Sequence, residues 1–131
     1  MIYVTGANGL VGSRLCACLG DYDVTKISYR DEVPDVFETH EKSFLIHLGW
    51  SSTTRAKDKS IQKDVINSKK LFELYQKKNR NGHIIFLSSA GDLHRDTDND
   101  IPTPHSLYGK CKLDVENILN ELDVQTTILR V

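Results

Sequence analysis

Tyr108 and Lys112 stand four residues apart in a stretch of helical period, so both fall on one helix face. A tyrosine near its free pKa of about 10 is a poor base at neutral pH. A lysine ammonium beside it favours the phenolate and brings that pKa down, which lets the pair take and return a proton. At the other end of the chain, YVTGANGLVG sets glycines at 6, 9 and 12 directly after an apolar, strand-like run. A helix that starts there offers unpaired N–H groups and the positive end of its dipole to a pyrophosphate. Gly6 suits a tight turn, Gly9 a close approach of backbone to phosphate, and Gly12 close helix–strand packing. A phosphate cradle followed by a proton-moving pair points to a nicotinamide-dependent enzyme.

The elements that must position these residues alternate between short apolar runs and longer helical patterns. Met1–Thr5 reads as a buried strand, and Leu10, Val11, Leu15, Cys18 and Leu19 as the apolar side of a first helix ended by Gly20 and Asp21. Asp23–Ser28 is a second strand and Phe44–Leu48 a third, with a near-continuous apolar run suited to cover on both faces. Between them there is room for a short helical piece around Val33–Glu41. Ile61, Val65, Leu71, Phe72 and Tyr75 predict a long amphipathic helix, with Lys77, Lys78 and Arg80 crowding its last turn before Gly82. His83–Ser88 is a fourth strand, Gly91–His105 a long polar loop, Ser106–Leu122 a final helix and Gln125–Val131 a fifth strand. Strand alternating with helix predicts a parallel sheet with right-handed crossovers and helices on both faces. Ligands of such sheets bind beyond the carboxyl ends of the strands, where Gly6–Gly12, His47–Ser52 and Ser88–Asp92 all fall.

Length and composition narrow the class further. A chain of 131 residues is one domain by length, with 39% hydrophobic and 27% charged residues and a net charge of −1. That balance offers no broad basic face for nucleic acid. No apolar run reaches a membrane span, and the N-terminus lacks a secretory pattern. Cys16, Cys18 and Cys111 form no C-x-x-C pair and read as reduced thiols of a cytoplasmic protein. His40, His47, His83, His94 and His105 are scattered without metal-ligand spacing, so no metal site is expected and His47 reads as structural. The DTDND run, Asp96–Asp100, reads as a solvated loop. Trp50 stands just past a strand end, where it either lines the cleft or packs on a neighbouring helix.

Four motifs in order, TGANGLVG, HLGW, FLSSAG and YGKCK, resemble the extended short-chain dehydrogenases/reductases, and among them the nucleotide-sugar epimerases and dehydratases. The resemblance runs over essentially the whole chain. It implies an α/β fold, a Rossmann-type doubly wound parallel sheet of about five strands with helices on both faces, lacking the substrate domain. It implies an NAD(P) cofactor met by Gly6, Asn8, Gly9, Leu10, Val11, Gly12 and Leu48, with Tyr108 and Lys112. Tyr108 would be the general acid/base, and Lys112 would bind the nicotinamide ribose and tune it. The substrate class implied is a nucleotide sugar, and the assembly expected is a homodimer.

Departures from the family pattern matter as much. Aligned without gaps, the usual catalytic serine falls on Ala90 and the neighbouring threonine on Asp92, so Ser89, one residue early, is preferred to Ser88 as the third catalytic group. Asp64 stands where the family often has asparagine. The second strand ends in Ser28 without the acid that selects NAD; Ser28 with Arg30 suits the 2′-phosphate of NADP, while Asp31 next door suits NAD. The balance leans to NADP with both cofactors retained. The resemblance also implies further segments after the last strand, so residues 1–131 are expected to bind cofactor weakly and turn over little alone. Alternatives carried forward are an NADPH-dependent reductase and a dinucleotide-binding module without catalysis.

Overall fold

The computed structural model describes residues 1–29, 31–50, 58–89, 93–95, 102–104 and 107–131. Apolar runs at Ile2–Thr5 (β1), Val24–Ile27 (β2), Phe44–His47 (β3), His83–Ser88 (β4) and Gln125–Arg130 (β7) form one parallel sheet. Its strand order is β2-β1-β3-β4-β7. Helices Leu10–Cys18 (α1), Asp58–Lys78 (α2) and Leu107–Asn120 (α3) connect the strands. The order reverses between β1 and β3, and that switch point opens a crevice beyond their carboxyl ends. A connection stepping from β1 back to β2 and connections stepping onward through β4 to β7 lie on opposite faces when all are right-handed.

The two faces differ. Tyr3, Leu45 and Ile84 stand in register, as do Thr5, His47 and Phe86. This face meets Leu71, Phe72 and Tyr75 of α2 and Val115 and Leu119 of α3 in the main core. On α1 only Gly12 is buried, and Leu10 and Val11 are 72% and 52% exposed. Of the apolar stripe read from the sequence, Leu15 and Leu19 are half-buried, and Cys18 is exposed like Leu10 and Val11.

Two further expectations are corrected. No helix forms around Val33–Glu41. Pro34 removes a backbone donor there, and side chains take over the hydrogen bonding. The Asn79 amide donates to the Glu38 carbonyl at 2.9 Å and accepts from the His40 N–H at 3.1 Å, while Glu38 N–H donates to the Tyr3 hydroxyl at 3.1 Å. Val33 and Phe37 are buried, and Phe37 packs edge-on against Tyr3 at 4.8 Å. Within the stretch read as a loop, Leu93–Arg95 (β5) and Pro102–Pro104 (β6) form a short antiparallel ribbon. Three residues with two prolines carry too little alternation to announce a strand.

Candidate active site

The chain leaves β1 at Thr5 and turns at Gly6 with φ +67°, a left-handed conformation that disfavours a side chain. A Cβ at Gly6 would also lie 2.7 Å from the Gly49 nitrogen. One at Gly12 would lie 2.0 Å from the Gly6 carbonyl oxygen, so α1 approaches the turn only because Gly12 carries none. Gly9 differs: its Cβ would meet Gly6 at 3.4 Å, an ordinary contact, so protein packing alone does not demand glycine there. Gly9 is the N-cap of α1, no side chain caps that helix, and no acid stands in its first turn. The turn thus has the form of a phosphate cradle, with donors left to a ligand. The cleft above it is lined by Asn8, Gly9, Lys26, Ser28, Tyr29, Gly49 and Asp64 among others.

Beneath the turn a hydrogen-bonded brace joins three elements. Thr5 Oγ1 accepts from the N–H groups of Leu48 and Gly49 at 3.1 and 3.0 Å. Its own proton therefore goes to Nδ1 of His47 at 2.6 Å. That leaves the imidazole proton on Nε2, which donates to Ser68 Oγ of α2 at 2.8 Å. Burial, aided by the Lys112 charge, lowers the His47 pKa to about 3, so the ring is neutral.

At the β4–α3 junction the Lys112 Nζ donates to the Leu87 carbonyl at 2.8 Å. It lies 4.3 Å from the Trp50 ring centroid, 4.9 Å from that of Phe86 and 5.8 Å from that of Tyr108. Burial lowers its pKa to about 8, against the carboxylates of Asp64 and Glu116, which raise it. Asp64 therefore acts on both regions, lining the glycine cleft and facing the lysine charge. With burial as the larger cause, it also pushes Tyr29 up to about 12.

Against this geometry the comparisons are decisive for kinship. Residues 2–131 match the model of the NAD dependent epimerase/dehydratase family. The chain belongs to that family. Among solved structures it resembles the UDP-glucuronic acid 4-epimerase of Bacillus cereus in complex with NAD, with 21% identity, a TM-score of 0.71, and coverage of 98% of this chain and 54% of the other. A UDP-galactose 4-epimerase matches with 20% identity and a TM-score of 0.77, over 98% and 55% of the two chains. RMD from Pseudomonas aeruginosa complexed with NADPH matches with 18% identity and a TM-score of 0.72, over 98% and 53%. At these identities the likeness is one of fold, and the chain spans about half the length of the structures it matches. No curated protein matches the sequence.

Most of the site residues expected of this family member lie at one edge of the sheet. Gly6, Asn8, Gly9 and Gly12 form or flank the turn, and Leu48 abuts it through its backbone. Tyr108 and Lys112 come together on α3. Leu10 and Val11 open α1 with their side chains pointing largely to solvent. Arg30, Ala90, Asp92, the Asp96–Asp100 run and His105 lie outside the described residues. Ser88 is buried and donates to the Glu116 carboxylate at 2.6 Å, while Ser89, the next residue, is half-buried.

Sequence reasoning missed the partners that hold the site. Glu116 is four residues beyond Lys112, and Arg130 of β7 donates from Nη2 to Glu116 Oε1 at 2.6 Å. The spacing Tyr108, Lys112, Glu116 was a visible signal for one helix face. Thr5, Ser68, Lys26 and Tyr29 carried no comparable pattern. Among the described residues no group of three or more His, Cys, Asp and Glu is arranged to hold a metal ion. None of their helices is long and apolar enough to cross a membrane.

Proposed function

We propose that this chain supplies the cofactor-binding and proton-handling part of a nucleotide-sugar epimerase or dehydratase. The observation that carries the reading is the pairing, at one sheet edge, of a glycine turn open to phosphate with Tyr108 and a buried Lys112. A bound nicotinamide would supply acceptance and return of hydride at a sugar carbon. The residues of the chain have separate tasks. The turn from Gly6 to Gly12 receives the pyrophosphate, and Lys112 meets a ribose hydroxyl and favours ionised Tyr108. Tyr108 takes the proton of the sugar hydroxyl as a ketone forms and returns it later, with Ser89 hydrogen-bonded to the reacting oxygen.

Cofactor choice follows from the β2 side of the cleft. Asp31, which would have suited NAD, is engaged by Lys63 at 2.7 Å and is not among the cleft-lining residues. Exposed Lys26 and Ser28 line the cleft instead, and Asp64 is the acid there, on α2. A cation and a hydroxyl at that end favour the 2′-phosphate of NADP. Calorimetry with NADP+ and NAD+ tests this directly: the tighter binding expected of NADP+ should fall on Lys26→Glu, and equal affinities would refute the preference. The reading also takes the protein as a cytoplasmic homodimer, its three cysteines being free. Sedimentation measures the assembly.

Deuterium transfer is the experiment for the reaction. Reduced nicotinamide dinucleotide deuterated at the transferring C4 position is incubated with the full-length protein and a panel of keto nucleotide sugars, beside Tyr108→Phe. Label should appear in one sugar and disappear in the variant. Dinucleotide binding with no transfer to any sugar would leave the non-catalytic binding module instead.

A further inference from the structure

Trp50, the one tryptophan of the chain, stands three residues beyond the end of β3. Its indole covers the Lys112 ammonium at 4.3 Å, and the ring of Phe86 closes on the same ammonium at 4.9 Å. The two rings sit 6.1 Å apart at 59°. The ammonium is thus held between two aromatic faces with the Leu87 carbonyl as acceptor. The same indole carries a defect: its Nε1–H is buried and has no hydrogen-bond partner among the described residues. The gain from a cation over an indole and the cost of an unmade buried hydrogen bond are of the same order, so the closed arrangement holds by a small margin. Gly49, the preceding residue, lines the glycine cleft and ties its N–H to Thr5 Oγ1. A ligand seated in the cleft therefore lies one residue from the indole's backbone.

We propose that Trp50 is a positioning residue that caps the Lys112 ammonium against Leu87 and swings off it when a dinucleotide binds. A ribose hydroxyl then takes the lysine, and an acceptor oxygen of the ligand takes the indole N–H. The displacement half rests on the cofactor site proposed above; the cap does not. Groups facing the ammonium from the elements around it are Asp64 of α2, Tyr108 and Glu116 of α3, and neutral His47 of β3. Burial keeps Lys112 below the ordinary lysine value of 10.5, near 8, against the two carboxylates, and the indole is one of the groups that enclose the ammonium.

The single indole provides its own readout. Its emission is followed from pH 6.5 to 11 in the unmodified chain and in Lys112→Met and Lys112→Arg, with circular dichroism to verify folding. The cap predicts a step near pH 8 that both variants abolish; arginine keeps the cation but does not titrate. A step that persists in either folded variant, or no step below about pH 9.5, would overturn the cap. NAD+ and NADP+ are then titrated, with calorimetry to record binding and acrylamide to record exposure of the indole. Binding with a rise in quenching supports the swing. Binding with the indole still shielded refutes the swing and leaves the cofactor site standing. No binding of either dinucleotide removes the cofactor reading and the swing together, while the pH step decides the cap by itself.

Discussion

At the glycine turn one methyl group has nowhere to go: at Gly12 it would press on the Gly6 carbonyl at 2.0 Å, and at Gly6 it would meet Gly49 at 2.7 Å in a backbone with φ +67°. Around Lys112 nothing is so tightly excluded. An ammonium, two aromatic rings, a carbonyl and a nearby Glu116–Arg130 pair settle each other by charge and burial. One region is shaped by hard contact between backbones and the other by soft, titratable contacts between side chains. The first tolerates little substitution and responds little to pH. The second accommodates changes of shape and responds to charge, as the proposed proton transfer at Tyr108 would require.

Breaking the ion pair should have the largest effect. Glu116→Ala removes the buried carboxylate that the Ser88 hydroxyl and the Arg130 guanidinium share, and should lower stability by about 3–5 kcal/mol in urea unfolding. A loss under about 1 kcal/mol would show that the pair is solvated rather than structural. Gly12→Ala comes next, at about 3 kcal/mol, because backbone must move to admit the methyl group. If it leaves stability and dinucleotide binding intact, the hard-contact description of the turn is wrong.

His47→Leu should cost about 2 kcal/mol, since it leaves Thr5 and Ser68 without their shared partner. It should also change the acid limb. The folded histidine has a pKa near 3 and the unfolded one near 6.5, so the unfolded state binds the extra proton between them. Stability conferred by the neutral ring is complete above about pH 6.5 and falls as pH drops toward 3. Chemical denaturation across that window should lose this slope in the leucine variant. Lys112 gives a second slope: its folded pKa near 8 is below the unfolded value, so stability should rise from about pH 8 to 10.5, and Lys112→Met should flatten it. The smallest effect is expected at Leu10→Ser, within about 0.5 kcal/mol on an exposed helix start, as thermal melting would register. A larger loss would mean that the α1 stripe is covered in solution.

The sheet was legible because β1, β3 and β4 are local apolar runs, and the more polar β2 and β7 still carry β-branched residues between turn signals. The glycine turn was legible for a related reason: the φ of Gly6 and the contact of Gly12 with Gly6 are local, though Gly49 crowds Gly6 only in the folded sheet. That Tyr108 and Lys112 share one face of α3 was legible from helix period, and their reading as a pair came from the glycine turn upstream. The segment from Val33 to His40 was not legible, because an amide 39 residues away in Asn79 replaces the bonds a helix would have made. Nor was the exposed start of α1, since a 3.6-residue stripe shows that a face is apolar without saying what will cover it.

By itself, then, the sequence determined the order of the sheet strands and long helices, the glycine turn and the helix face that Tyr108 and Lys112 share. All of these depend on neighbours within a turn or two along the chain. The tertiary structure alone decided the tautomer of His47, set by hydroxyls 42 and 21 residues away, and the committal of Ser88 to Glu116 across 28 residues. It alone brought Trp50 over Lys112. These are contacts between side chains from separate strands and helices, whose desolvation and charge exist only once the sheet has brought them side by side.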